Sequence, residues 1–161
     1  RPLARLDEAS PLGRADVDLT ELLVTAVSDA QVAGPDHEWE VDVPEEPVVV
    51  TGDAARLHQV AMNLLANARR HTPPGTRVIG RLRTRAGTAV LEVEDDGPGI
   101  DPELQPSIFD RFVRGDASRA RATGSTGLGL AIVRAVTTAH DGTAEVESVP
   151  GRTVFRITLP R

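Results

Sequence analysis

The sequence predicts an α+β domain: a two-layer sandwich in which one mixed β-sheet is covered on one face by helices. Three observations predict it. Helix and strand periodicities follow one another as helix, two strands, helix, hairpin, helix, hairpin along the 161 residues. That order lacks the strict strand–helix–strand alternation of a parallel sheet. The length is that of one domain, and 40% hydrophobic residues is enough for one core.

The elements run in order along the chain. Arg1 to Asp7 reads as the last turns of a helix, and the polar stretch after it is interrupted by Pro11 and Gly13. Residues 1–16 are therefore expected to be a linker, with the domain proper at 17–161. A helix is expected over 19–33, capped by Asp18 with Glu21 three residues on. Leu19, Leu22, Leu23, Ala26, Val27 and Ala30 form its apolar stripe, and Gly34-Pro35 ends it. His37 to Val43 alternates like a strand, and Val48-Val49-Val50 is a short apolar one. Asp53 caps a second helix over 54–71, with Leu57, Val60, Met62, Leu64, Leu65 and Ala68 as its stripe. Strands at 76–84 and 88–95 flank an Ala86-Gly87 hairpin turn. Asp96 to Ile100 is a Gly-rich turn, and residues 102–109 suit a short helix with Pro102 first. Residues 110–126 are polar and aperiodic, a long loop of the kind that is usually functional or disordered. A helix over 127–140 and a hairpin turning at Pro150-Gly151 complete the chain.

Composition excludes several classes. All 18 basic residues are arginine, so a P-loop lysine, a Schiff base and a protein-kinase strand lysine are absent. There is no cysteine, hence no disulfide, thiolate nucleophile or cysteine zinc site. A net charge of −6 argues against nucleic acid as partner. No apolar run approaches the ~20 residues that span a bilayer, so no membrane contact is expected of this stretch.

Four stretches carry possible chemistry. Asn63 and Asn67 lie four apart on one helix face, opposite Leu64 and Leu65, and offer carbonyl oxygens to a hard cation. They also suit a plain polar helix surface. Glu94-Asp95-Asp96-Gly97-Pro98-Gly99-Ile100 ends a strand, where a carboxylate can accept a ligand amino group and glycines permit close approach. An ordinary acidic turn reads the same way. Gly124 to Leu130 puts glycines before a helix, whose free N–H groups and dipole favour an anion, or else merely caps it. Phe109-Asp110-Arg111-Phe112 can anchor a loop, or simply pack.

All four in this order, between residues 63 and 130, form a far more specific signal than any alone. Together they resemble the ATP-binding catalytic domain of bacterial sensor histidine kinases, within the superfamily that includes DNA gyrase. The asparagine box corresponds to 63–71, the glycine boxes to 95–99 and 127–130, and the phenylalanine box to 109–112. Asp53, Arg56-Leu57, Gln59-Val60 and the closing Pro150-Gly151-Arg152-Thr153-Val154-Phe155 also fit, so the resemblance covers roughly 17–160.

The resemblance implies a Bergerat fold, a mixed five-stranded sheet on about three helices, with ATP and Mg2+ as cofactors. It implies that Asp95 binds the adenine amino group, that Gly97 and Gly99 shape the base pocket, and that Ile100 lies against the base. Asn67 would be the metal ligand, with Asn63 and Arg70 beside the phosphates. Thr126, Gly127, Leu128 and Gly129 would meet the phosphates through the chain backbone. Arg111 and His71 would complete the ATP-binding set, and residues 110–126 would form a lid. The catalytic residues implied are Asn63, Asn67 and Arg70. The family usually has Lys-Tyr where this chain has Arg70-His71. Arginine can still pair with phosphate, as a fork rather than a point charge.

A kinase of this family phosphorylates a histidine on a separate helical domain. His37, His58, His71 and His140 all lie in other contexts, in a strand or at helix positions. The expected partners are therefore a helical dimerisation and phospho-acceptor domain of the same parent protein and a response regulator downstream. The expected location is the cytoplasm, with the parent anchored in the cell membrane. Two alternatives remain: an ATPase of the same superfamily and a nucleotide-sensing interaction module. The ATPases carry a glutamate where this chain has Asn63, and an amide cannot take a proton from water.

Overall fold

The computed structural model describes residues 12–110 and 129–161. Arg111, Phe112, Thr126, Gly127, Leu128 and nearly all of the expected lid lie outside the described residues, as do residues 1–11.

The described elements are β1 (Ala15–Asp18), α1 (Leu19–Ala33), β2 (Glu38–Asp42), β3 (Val49–Gly52), α2 (Ala54–Arg70), β4 (Arg77–Arg85), β5 (Thr88–Asp95), α3 (Gly129–Ala139), β6 (Thr143–Val149) and β7 (Arg152–Pro160). A 3-10 turn at Gln105–Ser107 stands where the sequence suggested a short helix opened by Pro102. Proline at 106 suits a single tight turn at this point.

Five strands form the main sheet in the order β2-β4-β5-β7-β6. The β2–β4 pair is parallel and the other three are antiparallel, so the sheet is mixed. Among the described residues, three helices pack on it. α2 lies between α1 and α3 and touches both.

α1 and α2 start where their caps say they should. The Asp18 carboxylate accepts the Glu21 N–H at 3.0 Å, and all six stripe residues of α1 are buried. The Asp53 carboxylate accepts the Arg56 N–H at 3.1 Å at the start of α2. Ala61 is buried on α2 and Met62 is only half-buried, one position off the expected stripe. The neighbouring Leu64 and Leu65 are fully buried and set the helix rotation. Gly80 on β4 lets α1 sit close, because a Cβ there would lie 2.9 Å from Val27 Cγ2.

Strand pairing departs from chain order at three pairs, β1–β3, β2–β4 and β5–β7. β3 does not join its neighbour β2. It pairs antiparallel with β1 in a separate two-stranded sheet, with Val17 opposite Val50 and both buried. Ala15 and Asp16, expected to be linker, are therefore strand. This register puts both valines on the covered side, where they join the core.

The helix-facing side of the sheet presents Val78, Leu82, Ala89, Leu91, Val93, Phe155, Ile157 and Leu159, all buried. The opposite side carries one register row that runs through all five strands: Asp42, Arg81, Glu92, Arg156, Glu145. Signs alternate along it. Arg81 lies 3.4 Å from Asp42 and 3.5 Å from Glu92, and Arg156 lies 2.7 Å from Glu92. Glu92, at the centre, is 9% exposed. Burial alone would raise its carboxyl, but hydrogen bonds and charge from Arg156 and Arg81 outweigh it and hold it below the usual range.

A carboxyl depressed in the fold contributes stability above its unfolded value and loses it as pH falls through the folded one. Glu92→Gln should therefore cost about 1 kcal/mol of unfolding free energy at neutral pH. In urea titrations the gap between parent and variant should close once the pH drops below the folded carboxyl's depressed value.

Candidate nucleotide site on α2

Four features of the site trace back to α2 and its ends. Asn63 is half-buried against α3 and its Nδ2 donates to the Gly129 carbonyl at 3.1 Å. Two residues expected in different boxes are thus joined directly. Asn67, one turn on, is half-buried, and its side-chain amide makes no hydrogen bond among the described residues. Arg70 is exposed at the last residue of the helix. His71 caps it, donating its backbone N–H to the Asn67 carbonyl at 3.1 Å. His71 is exposed, yet desolvation by the protein around its ring, and after it the neighbouring Arg70 charge, hold it below the ordinary histidine value.

Thr72 comes next, a residue outside the expected binding set. Its hydroxyl lies 2.6 Å from the Ala68 carbonyl and 2.8 Å from His37 Nε2. Its methyl faces Gly97, where an added Cβ would come within 2.6 Å. The end of α2 is therefore packed on the first glycine box, and only glycine fits there.

Asp95 is the last residue of β5 and is 6% exposed. Its Oδ1 accepts the Gly97 N–H at 2.9 Å. Burial raises its carboxyl above the ordinary value, the Gly97 N–H works against this, and the charges of Asp96 and Glu94 add to the rise. Apart from that one backbone donor, the carboxylate has no hydrogen-bond partner among the described residues. A nearly buried acid with spare acceptor capacity at a strand end can receive a ligand donor.

The loop after Asp95 is fastened to the β6–β7 turn. Gly97 O accepts the Gly151 N–H at 2.9 Å. Gly99 has φ +96 and passes so close to β6 that a Cβ would meet Val149 O at 2.9 Å. The Ile100 N–H donates to Ser148 Oγ at 2.8 Å, which lies 2.6 Å from Thr153 Oγ1. Gln105 Nε2 donates to the Ile100 and Ser148 carbonyls at 2.9 and 3.2 Å. Ser148, Thr153 and Gln105 lie outside the boxes, and spacing does not reveal them. Thr72 could have been suspected, since it adjoins the asparagine box.

Phe109 is buried edge-on to Phe155, with ring centroids 5.9 Å apart. Asp110 pairs with Arg134 of α3 at 3.0 Å, so the chain leaves this point fixed to both the sheet and α3. No group of three or more histidines, aspartates or glutamates able to hold a metal exists among the described residues. The side-chain amide oxygens of Asn63 and Asn67 are neutral acceptors that a hard cation could use together with other oxygens.

A three-helix layer on a mixed five-stranded sheet, with a buried acid at one strand end and an amide-bearing central helix, defines a nucleotide-site domain of the Bergerat class. The chain belongs to the histidine kinase-, DNA gyrase B- and HSP90-like ATPase family, whose model matches residues 52–161. It is 62% identical over 158 residues to a probable sensor histidine kinase, TcrY, of Mycobacterium tuberculosis, covering 98% of this chain and 33% of that protein. It is 52% identical to the sensor histidine kinase TrcS of the same organism, covering 98% and 32%. The chain thus spans about a third of the length of these curated relatives. Among solved structures, a mycobacterial sensor histidine kinase, MprB, aligns with a TM-score of 0.79 at 35% identity, covering 91% of this chain and 97% of that one. A full-length ShkA in complex with AMPPNP aligns with a TM-score of 0.79 at 28% identity, covering 98% and 33%.

Replacing Asp95 with its neutral isostere tests the electrostatics of the pocket. A carboxyl raised by burial opposes folding above its unfolded value, and that opposition fades as pH falls through the folded one. Asp95→Asn can keep the Gly97 hydrogen bond, so its Tm at neutral pH should equal or exceed the parent's. The difference should shrink in acid, read by calorimetric melts across pH.

Proposed function

We propose that this domain binds Mg-ATP and donates the γ-phosphoryl group to a histidine on a separate helical domain of its parent sensor kinase. The observation that carries this reading is Asp95, an almost buried acid beside a glycine loop that packs on the end of α2. That the similar ShkA structure is a complex with AMPPNP supports a nucleotide as the ligand.

The residues divide the work. Asp95 accepts the adenine amino group, and Gly97, Gly99 and Ile100 shape and line the base pocket. Asn67 supplies an oxygen to Mg2+, which when bound neutralises phosphate charge. Asn63 stands beside the phosphates and holds Gly129. Arg70 pairs with phosphate oxygens, and His71 offers a neutral ring. Arg111, Thr126, Gly127, Leu128 and Gly129 complete the binding set. Catalysis rests on positioning and charge stabilisation, which is most of what phosphoryl transfer asks of a protein.

Asn63 favours transfer over hydrolysis. An amide that donates to the Gly129 carbonyl cannot take a proton from water. The helical dimerisation and phospho-acceptor domain, a downstream response regulator and a membrane anchor belong to the proposed parent protein. No described helix is long and apolar enough to cross a membrane.

Two outcomes check the proposal. Calorimetric titration should show Asp95→Asn losing most of its affinity for Mg-ATP while it stays folded, and unchanged affinity would remove the adenine role. With γ-labelled ATP, this chain should hydrolyse slowly, because a general base is worth typically ~10²–10⁴-fold. Acid-labile label should form only when the preceding helices are present. Label on this chain alone, or fast phosphate release abolished by Asn67→Ala, would overturn transfer to an outside histidine.

A further inference from the structure

His140 lies just past the last residue of α3 and is 4% exposed. Its Nε2 accepts the Asp53 backbone N–H at 3.0 Å. The ring proton therefore sits on Nδ1, which donates to the Val136 carbonyl at 2.9 Å. Both nitrogens of a neutral ring are used. The ring comes this near only because residue 52 is glycine, where a Cβ would lie 2.6 Å from His140 Cδ2.

Asp53 is joined to more than His140. Its Oδ1 accepts the Arg56 N–H and so caps α2. Its Oδ2 accepts the N–H of Gly13, in the segment before β1, at 2.9 Å. These two donors hold its carboxyl below the ordinary value. One residue thus ties together the incoming segment, the start of α2 and the end of α3. α3 is then fastened to α2 at both ends: at Gly129 through Asn63, and just past Ala139 through His140 and Asp53.

We propose that Gly13, Asp53 and His140 form a joint that sets the axial position of α3 against α2. Through it, the position of the incoming segment governs the contact between Gly129 and Asn63. A helix is stiff along its axis, so a shift imposed at one end of α3 arrives at the other. Asp53 and His140 are positioning residues and touch no substrate. The consequence for nucleotide rests on the proposed site at Asn63 and Gly129, whereas the mechanical coupling does not. The plainer alternative is that His140 is a satisfied core histidine whose loss loosens the whole fold alike.

Hydrogen exchange on the free 161-residue chain separates the two, with Mg-ATP titration beside it. Asp53→Ser keeps a hydroxyl to cap α2 and keeps the backbone N–H for His140, but its side chain has one oxygen and gives up Gly13. His140→Leu leaves the Asp53 N–H unpaired, and His140→Gln offers it an amide oxygen again. In both Asp53→Ser and His140→Leu, the Val133–Val136 amides should exchange about tenfold faster, with the Leu22–Ala26 amides of α1 unchanged. Affinity for Mg-ATP should fall at least threefold in the same variants, and His140→Gln should recover part of both effects. Equal acceleration in α1, or no change at α3 in Asp53→Ser, would overturn the joint. Faster exchange at α3 with undiminished affinity would overturn its link to the nucleotide. Failure of the parent chain to bind Mg-ATP would overturn the nucleotide reading and leave the exchange result to decide the joint alone.

Discussion

The burial of Leu64 and Leu65 on α2 fixes the rotation of the central helix, and the site depends on that rotation. Both side chains are fully buried. Asn63 then faces α3, where it meets Gly129. Asn67 sits one turn later on the same face. The end of the same helix brings Thr72 onto Gly97. A helix turned by one residue would sink amides into the core and lift leucines out of it, at a cost of several kcal/mol.

The sheet serves two ends with its two faces. Its outer row balances charge across five strands, so Glu92 is stabilised as an anion although it is nearly buried. Asp95 lies three residues further along the same strand, on the opposite face, with one backbone donor and no arginine paired with it among the described residues, and the opposing pull of the Gly97 N–H and of His37 does not offset its burial. One carboxyl is pushed down and the other up by what each faces. The uncompensated one sits where a ligand is proposed to bind, and that pattern marks functional sites more often than structural ones.

Much of the fold is legible from local pattern. The stripe of α1, the caps Asp18 and Asp53, the hairpin at Ala86-Gly87 and the strand end at Asp95 all stand where periodicity and capping put them. The short helix expected at 102–109 is a 3-10 turn instead, because Pro106 falls inside that span and has no N–H for an α-helical bond. β1 escapes a reading by pattern because four residues, two of them aspartate, carry no strand signal until Val17 meets Val50. His140 reads as a helix end, since nothing local announces that Gly52 leaves room for its ring.

The sequence by itself determined most of the elements, the order of the boxes and the family, because periodicity, caps and glycine spacing are local properties. The tertiary structure decided which strands pair and which boxes touch. It also decided that Ser148 and Thr153 hold Ile100, and that Asp53 joins Gly13 to His140. Those contacts span 40 residues between Gly13 and Asp53 and 87 between Asp53 and His140. Hydrogen bonds and close approaches of that separation arise from how buried faces stack, and local spacing does not encode them.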